Sequence, residues 1–363
     1  MTDLAVFLMD LDGGGAERVM LNLARGFADR GLKVDLVLVK AEGPYLSQLP
    51  DRVRVVKLES SRLLLSVAAL AKYLKQERPK TLIAALEDTN IVAIWARKLA
   101  GVSTQIVVTV HNHLTRDAEN ATNLKRKLAP LLAKWFYPWA DKIVAVSEGV
   151  AKNLDELGFP VAKTTYIYNP IVTPEMNEKI QGAIAHPWFD SPEIPVILGV
   201  GRLEKQKDFP TLIRAFARVK EQYPARLLIL GEGSQKDHLL SLLAELGLTN
   251  DVAFGGFVDN PYAYMAKASV VVLSSAWEGF GNILVEAMFA GTPVVSTDCQ
   301  SGPAEILEYG KYGKIVTVGD SEAMAEAIIA TLAGDRDVEK LRTRAKEFSL
   351  EAALEGYQQV FGL

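Results

Sequence analysis

One cysteine, Cys299, occurs in 363 residues, so no internal disulfide can form and nothing requires an oxidising compartment. No run reaches the ~18 to 20 apolar residues that a membrane-spanning helix needs. The opening stretch, MTDLAVFLMDLDGGGAERV, lacks a basic segment, and its apolar run breaks at Asp10; it reads as a strand, not a signal peptide. Charge of one sign is also missing: 40 Lys and Arg against 44 Asp and Glu give a formal net charge of −4. That is far from the basicity of a duplex-binding protein, and no nucleic-acid partner is expected. With 49% apolar and 23% charged residues, and no low-complexity tract or short-period repeat, disorder and fibrous classes are excluded. What remains is a globular chain too long for one core, so two domains are expected.

The small net charge conceals a division. Residues 1–180 carry 24 Lys and Arg against 20 Asp and Glu, a balance of +4, while residues 181–363 carry 16 against 24, a balance of −8. A basic half beside an acidic half is consistent with one of them meeting an anionic surface.

Short apolar runs alternate with helical patterns in the first half. Strands are expected at Leu4–Met9, Lys33–Val39, Val53–Lys57, Thr81–Ala85, Gln105–Val110, Lys142–Val146 and Thr164–Ile167. Amphipathic helices are expected between most of them, as at Ala16–Arg30, Leu63–Glu77, Asn90–Ala100 and Glu148–Leu157. Continuous apolar strands separated by helices indicate β/α units on a parallel sheet. A turn-rich stretch with five prolines follows, and then the pattern restarts. Strands are expected at Pro195–Val200, Arg226–Leu230, Val252–Phe254, Val270–Leu273 and Pro293–Ser296. Helices are expected at Phe209–Gln222, Gln235–Leu246, Asn282–Ala290 and Glu322–Ala333. The fold class is therefore α/β, with a first domain over 1–175, a linker over 176–194 and a second domain over 195–345. In such sheets ligands bind beyond the carboxyl ends of the strands, so a site between the domains is expected.

Three segments carry candidate chemistry. Gly13-Gly14-Gly15 lies between a strand and a helix, where glycines allow close backbone approach and a helix N-terminus favours an anion. Arg18 stands where the dinucleotide fingerprint needs its last glycine, so a nicotinamide site is not expected. Gly201-Arg202-Leu203-Glu204-Lys205-Gln206-Lys207 leaves the first strand of the second domain and offers two cations suited to a diphosphate; a solvated charge run is the plain alternative. In Glu278-Gly279-Phe280-Gly281-Asn282-Ile283-Leu284-Val285-Glu286 the glycines keep Glu278 in a loop and place Glu286 on a helix. Free N–H groups near Asn282–Leu284 would then meet an anion, with a carboxylate on either side for sugar hydroxyls.

The ordered set Gly-Gly-Ala-Glu-Arg, Gly201-Arg202-Leu203, Lys207-Asp208-Phe209, Gly231-Glu232-Gly233, Glu278-x7-Glu286 and Gly291-Thr292-Pro293-Val294-Val295 resembles the retaining glycosyltransferases of family 4. The resemblance spans nearly the whole chain. It implies the GT-B fold of two Rossmann-like domains, with a tail, 346–363, returning to the first. It also implies roles: Arg202 and Lys207 on the donor diphosphate, Glu286 on the ribose, and Glu278 on the donor sugar. Gly281, Asn282, Ile283 and Leu284 would meet sugar and diphosphate; Gly201 and Gly231 belong to the donor-binding loops, and Phe257 and Val258 fall where the base sits. Gly14 and Gly15 match a loop bordering the acceptor site, and His111 matches a histidine near the donor sugar. His113 would share its strand face.

The chemistry implied is substitution at an anomeric carbon with retention, a nucleotide diphosphate leaving, and no required cofactor beyond the nucleotide sugar, expected to be UDP-linked. Asp10-Leu11-Asp12 is formally a DxD metal motif, but it ends a strand here, and no metal is expected. Asn120-Ala121-Thr122 is a formal glycosylation sequon, read as coincidence. Asn123–Ala140 sets Lys125, Arg126, Lys127 and Lys134 beside Trp135, Phe136, Tyr137 and Trp139, and Ser61–Lys80 is apolar with a basic end. Both suit contact with an anionic bilayer, which would favour a lipid-linked acceptor and a peripheral position on the cytoplasmic side. Tyr137-Pro138-x-Ala140-Asp141, however, matches a packing element of the family, so most of these aromatics are expected in the core. A nucleotide-sugar epimerase and a non-catalytic sugar-nucleotide-binding module are the alternative readings.

Overall fold

The computed structural model describes residues 2–60, 62–121, 123–190 and 193–362. Thr122 of the sequon, Ser61 at the head of the apolar segment and Pro192 in the expected linker lie outside the described residues. The chain divides into two compact units, Met1–Ile171 with Ser349–Leu363, and Val172–Phe348.

Among the described residues the first unit holds seven parallel strands: β1 (Leu4–Leu8), β2 (Val34–Leu38), β3 (Val53–Lys57), β4 (Thr81–Ala85), β5 (Gln105–Val110), β6 (Lys142–Ala145) and β7 (Thr164–Tyr166), in the order β3-β2-β1-β4-β5-β6-β7. The central strands β1, β2 and β4 are buried at every residue, which is why they read as unbroken apolar runs. Helix Gly15–Asp29 lies against helix Leu350–Phe361, and Gly26 makes this possible: a Cβ there would sit 2.8 Å from the Leu354 side chain. The rings of Phe27 and Phe361 are 5.4 Å apart across the same contact.

The second unit holds β8 (Val196–Val200), β9 (Arg226–Leu230), β10 (Val252–Gly256), β11 (Val270–Leu273), β12 (Val294–Thr297) and β13 (Lys314–Val316), all parallel, in the order β10-β9-β8-β11-β12-β13. Helix Phe209–Gln222 buries Leu212, Ile213, Phe216 and Val219 on one face, at helical spacing, against Ile197, Leu227 and Ile229 of the sheet. The stretch read as linker contains two short turns of helix, Met176–Lys179 and Pro187–Phe189.

In both sheets the chain adds strands to one side of the first strand and then crosses to the other. The switch falls between β1 and β4 in the first unit and between β8 and β11 in the second. Open α/β sheets bind ligands at the carboxyl ends of the strands at such a point.

One expectation fails here. Tyr137 is buried, and its hydroxyl accepts from Asn90 Nδ2 at 2.9 Å, but Trp135 and Trp139 are exposed. Apolar residues at helical spacing identify a stripe without saying which way it faces.

Candidate active site

In the second unit, the loop after β8 carries Gly201, Arg202 and Lys207, and the loop after β11 carries Glu278. Adjacency of the two strands brings these loops together across 71 residues of sequence. Lys207 Nζ donates to Glu278 Oε1 at 2.5 Å, and the Ser275 hydroxyl donates to the same oxygen at 2.6 Å. The backbones are tied as well: Ala276 N–H donates to the Gln206 carbonyl, Gln206 Nε2 to the Trp277 carbonyl, and Ser274 Oγ to the Lys207 carbonyl at 2.7 Å. Both charged side chains are largely buried, so the pair holds its geometry. Ser275 and Gln206 are positioning residues without a motif of their own; the only hint in the sequence is the Ser274-Ser275 pair ending a strand.

The floor of the site is glycine. The Lys207 stem lies over Gly201, 3.2 Å from where a Cβ would stand, and a Cβ on Gly231 would be 2.0 Å from the Gly201 carbonyl oxygen. Gly231 has φ +133°, which a side chain would strain. Arg202 is exposed beside this floor and takes part in no ion pair among the described residues. Gly231 N–H in turn donates to the Gly256 carbonyl at 2.7 Å, which places exposed Phe257 and half-buried Val258 at the same sheet edge, beyond β10.

Gly281, in the left-handed region at φ 98°, opens helix Asn282–Ala290, and Glu286 is buried one turn into it. Asn282 and Ile283 are half-buried and Leu284 is buried. The expected set of free N–H groups is smaller than the sequence indicated: Leu284 N–H donates to the Gly281 carbonyl at 3.0 Å, because the left-handed turn aims that carbonyl into the helix. Next to this loop, Ser301 has φ 74° and a buried hydroxyl without a hydrogen-bond partner among the described residues. Nothing in the sequence marked it. Non-glycine residues held in the left-handed region often border functional sites.

The first unit places Gly14, Gly15 and His111 at its own strand ends. Gly14 caps helix Gly15–Asp29, and the Glu17 carboxylate folds back over it. The preceding turn is braced by Tyr45, whose hydroxyl donates to the Gly13 carbonyl at 2.9 Å and accepts from Arg18. Asp10 is partly buried, and burial together with Asp12 raises its carboxyl above the usual range. Among the described residues, no cluster of three or more His, Cys, Asp or Glu side chains could hold a metal ion.

His111 is buried, and Nε2 lies 2.9 Å from the Thr109 hydroxyl. That hydroxyl spends its proton on the Ala84 carbonyl at 2.8 Å, so it must accept from the imidazole. The ring is fixed as the Nε2–H tautomer, with Nδ1 left as an acceptor. His113 does not share this environment. It caps helix Leu114–Glu119, its Nδ1 accepting from Arg116 N–H, because the chain leaves the strand after Val110.

Burial lowers the His111 pKa to about 4, against an ordinary value of 6.5. The unfolded chain therefore binds a proton in the window between 6.5 and 4 that the folded chain refuses, and stability falls as pH drops through it. Urea unfolding of His111→Gln is expected to lose ~2 kcal/mol less than wild type between pH 7 and pH 5. Equal losses would show that the imidazole titrates normally.

Known proteins resemble this chain in sequence and in fold. The family described as "Glycosyl transferases group 1" matches residues 188–348, and "Glycosyltransferase Family 4" matches residues 13–174. The chain is 33% identical over 370 residues to a Campylobacter jejuni N-acetylgalactosamine-N,N'-diacetylbacillosaminyl-diphospho-undecaprenol 4-alpha-N-acetylgalactosaminyltransferase, covering 96% of each. It is 28% identical over 353 residues to the Rhizobium meliloti lipopolysaccharide core biosynthesis glycosyltransferase LpsE, covering 96% of this chain and 95% of that one. Among solved structures, Anabaena HepE in complex with UDP and glucose superposes with a TM-score of 0.82 at 22% identity, covering both chains fully. Sucrose-phosphate synthase from Thermosynechococcus elongatus gives 0.81 at 20% identity, covering all of this chain and 98% of that one.

Proposed function

The chain belongs to the group 1 glycosyltransferases of family 4 and has their GT-B fold, and from that premise we propose that it transfers a hexose with retention from a UDP-sugar to a lipid-linked glycan. The observation that carries this reading is Lys207, held against Glu278, lying over a glycine floor at the sheet's switch point, with exposed Arg202 next in sequence to Gly201. Two cations on a loop whose backbone is stripped of side chains suit a diphosphate, which approaches closely and leaves with its charge stabilised in place.

In this reading the bond between the anomeric carbon and the β-phosphate oxygen breaks while the acceptor oxygen bonds to the same face. The acceptor proton passes to a donor phosphate oxygen, and UDP leaves. Arg202 and Lys207 bear the developing charge, so no added metal is called for. Glu278 accepts from sugar hydroxyls, and Glu286 from the ribose. Phe257 and Val258 flank the base, Gly281, Asn282, Ile283 and Leu284 line the sugar side, and Gly14 and Gly15 border the acceptor. His111 offers Nδ1 to a sugar hydroxyl as a neutral ring.

The named acceptor of the Campylobacter jejuni relative, linked to diphospho-undecaprenol, supports a lipid-linked acceptor, and the UDP bound to HepE supports the base. Such an acceptor keeps its reactive sugar near a bilayer, and no helix among the described residues is long and apolar enough to cross one. The protein then works peripherally, on the cytoplasmic side where nucleotide sugars are found. A nucleotide-sugar panel, read by binding and slow hydrolysis in the presence of a chelator, tests the donor. Transfer to polyprenyl-diphosphate glycans with the best donor tests the acceptor, and NMR of the product gives its anomeric configuration. UDP-sugars are expected to be used and the donor's configuration kept; an inverted product or the absence of any transfer overturns the reading.

A further inference from the structure

The segment 124–136 folds with its apolar side outward. Helices Leu124–Lys127 and Ala129–Phe136 run on from one another: Leu128 between them has helical backbone angles, its N–H donates to the Leu124 carbonyl, and its carbonyl accepts from Leu132. Leu124, Leu128, Leu131 and Trp135 therefore recur at steps of four, three and four, in a single stripe. All four are exposed, Leu124 at 71% and Trp135 at 63%. A helix of a folded unit ordinarily turns such a stripe to the core. Here Ala133 is the residue that the two helices bury.

A second element extends the apolar surface. Helix Glu87–Ala100 exposes Trp95 and, one turn on, Leu99. Trp95, Phe136 and Trp139 meet edge to face, with ring centroids 5.6 to 5.7 Å apart. Packing among these rings, with Phe136 half-buried between them, holds the exposed indoles of Trp95 and Trp139 in place at the surface.

Charge selects the occupant. The Lys98 ammonium sits 4.4 Å above the Trp139 ring, and Lys125, Arg126, Lys127 and Lys134 are exposed on the stripe helix. Asp88 enters the patch through its ion pair with Lys125 at 2.5 Å. Leucines that project outward, indole rings at their border and ammonium groups around them match the layering of acyl chain, interface and anionic headgroup in a bilayer. We propose that this face, formed by 124–139 and the Trp95–Leu99 turn, docks the protein on an anionic phospholipid bilayer. The proposal rests on the reading of a lipid-linked acceptor, to which it adds the surface that makes contact.

The test is co-sedimentation of the full chain with phosphatidylglycerol-containing and with phosphatidylcholine vesicles, beside size-exclusion chromatography. Wild type is expected to sediment with the anionic vesicles and to be released by salt. Leu131→Ser/Trp135→Ser should weaken that binding by about tenfold or more, and Arg126→Ser/Lys127→Ser should erase the preference for anionic lipid. Transfer to a detergent-solubilised acceptor should be unchanged in both variants. Vesicle binding equal to wild type in both variants overturns the choice of face. Wild type that binds no vesicle overturns docking altogether, and its transfer to the solubilised acceptor then shows whether the lipid-linked reading falls with it. Self-association that disappears in the serine variants, without vesicle binding by wild type, would make the face an interface between copies and overturn the proposal.

Discussion

Arg202→Ala is expected to lower kcat/KM for sugar transfer by about two to three orders of magnitude, the usual effect of removing a charged group that stabilises a leaving anion. The thermal midpoint should stay within about 2 °C of wild type, because the side chain is exposed and takes part in no ion pair among the described residues. Initial rates with saturating acceptor, combined with a thermal melt, check both halves. Activity within a few-fold of wild type would remove Arg202 from the diphosphate. A lowered midpoint would show that its contribution is to the fold.

Lys207→Met should behave differently, since Lys207 has a buried structural partner as well as its proposed place on the diphosphate. Its ammonium neutralises the Glu278 carboxylate, and the two side chains are only 18% and 8% exposed. Removing it loses the cation over the glycine floor, with an expected fall in kcat/KM of about three orders of magnitude. It also strands a buried carboxylate, at a cost of about 3 kcal/mol in stability. Adding Glu278→Gln should restore most of that stability, because a neutral amide can still accept from the Ser275 hydroxyl. Activity should not return. Equal stability of the single and double variants in urea would mean that a stranded Glu278 carboxylate is not the source of the loss, while near-normal transfer by Lys207→Met would end the diphosphate assignment.

Much of the architecture was legible because buried parallel strands leave little room for polar residues. Thr81–Ala85, Gln105–Val110 and Arg226–Leu230 are found at the bounds that their apolar runs indicate. β13 was missed for the opposite reason: it is a short edge strand with an exposed lysine at its start and no fully buried residue. Helix Val338–Lys346 was missed as well, since it buries little beyond Leu341, Ala345 and the Arg344 side chain, which donates to the carbonyls of Glu305 and Ile306. At the candidate site, the glycines and the position of Glu278 in a loop were readable from local pattern. The Lys207–Glu278 contact was not, because it exists through the pairing of β8 with β11, and pairing across a crossover leaves no local signature. Likewise, the pattern of Leu124, Leu128, Leu131 and Trp135 was visible, but the direction in which it points is a tertiary fact.

The return of residues Ser349–Leu363 to the first unit bears on synthesis. Groove positions around Gly26 and Phe27 are filled by Leu350, Leu354 and Phe361, all made after residue 348. The second unit is one uninterrupted stretch of chain and can close its core while the first still lacks a helix. At ordinary translation rates that delay is on the order of ten seconds. During it, the apolar face of helix Gly15–Asp29 is open to chaperones and to other nascent chains. Of the two units, the one whose translation begins earlier is therefore the one completed later.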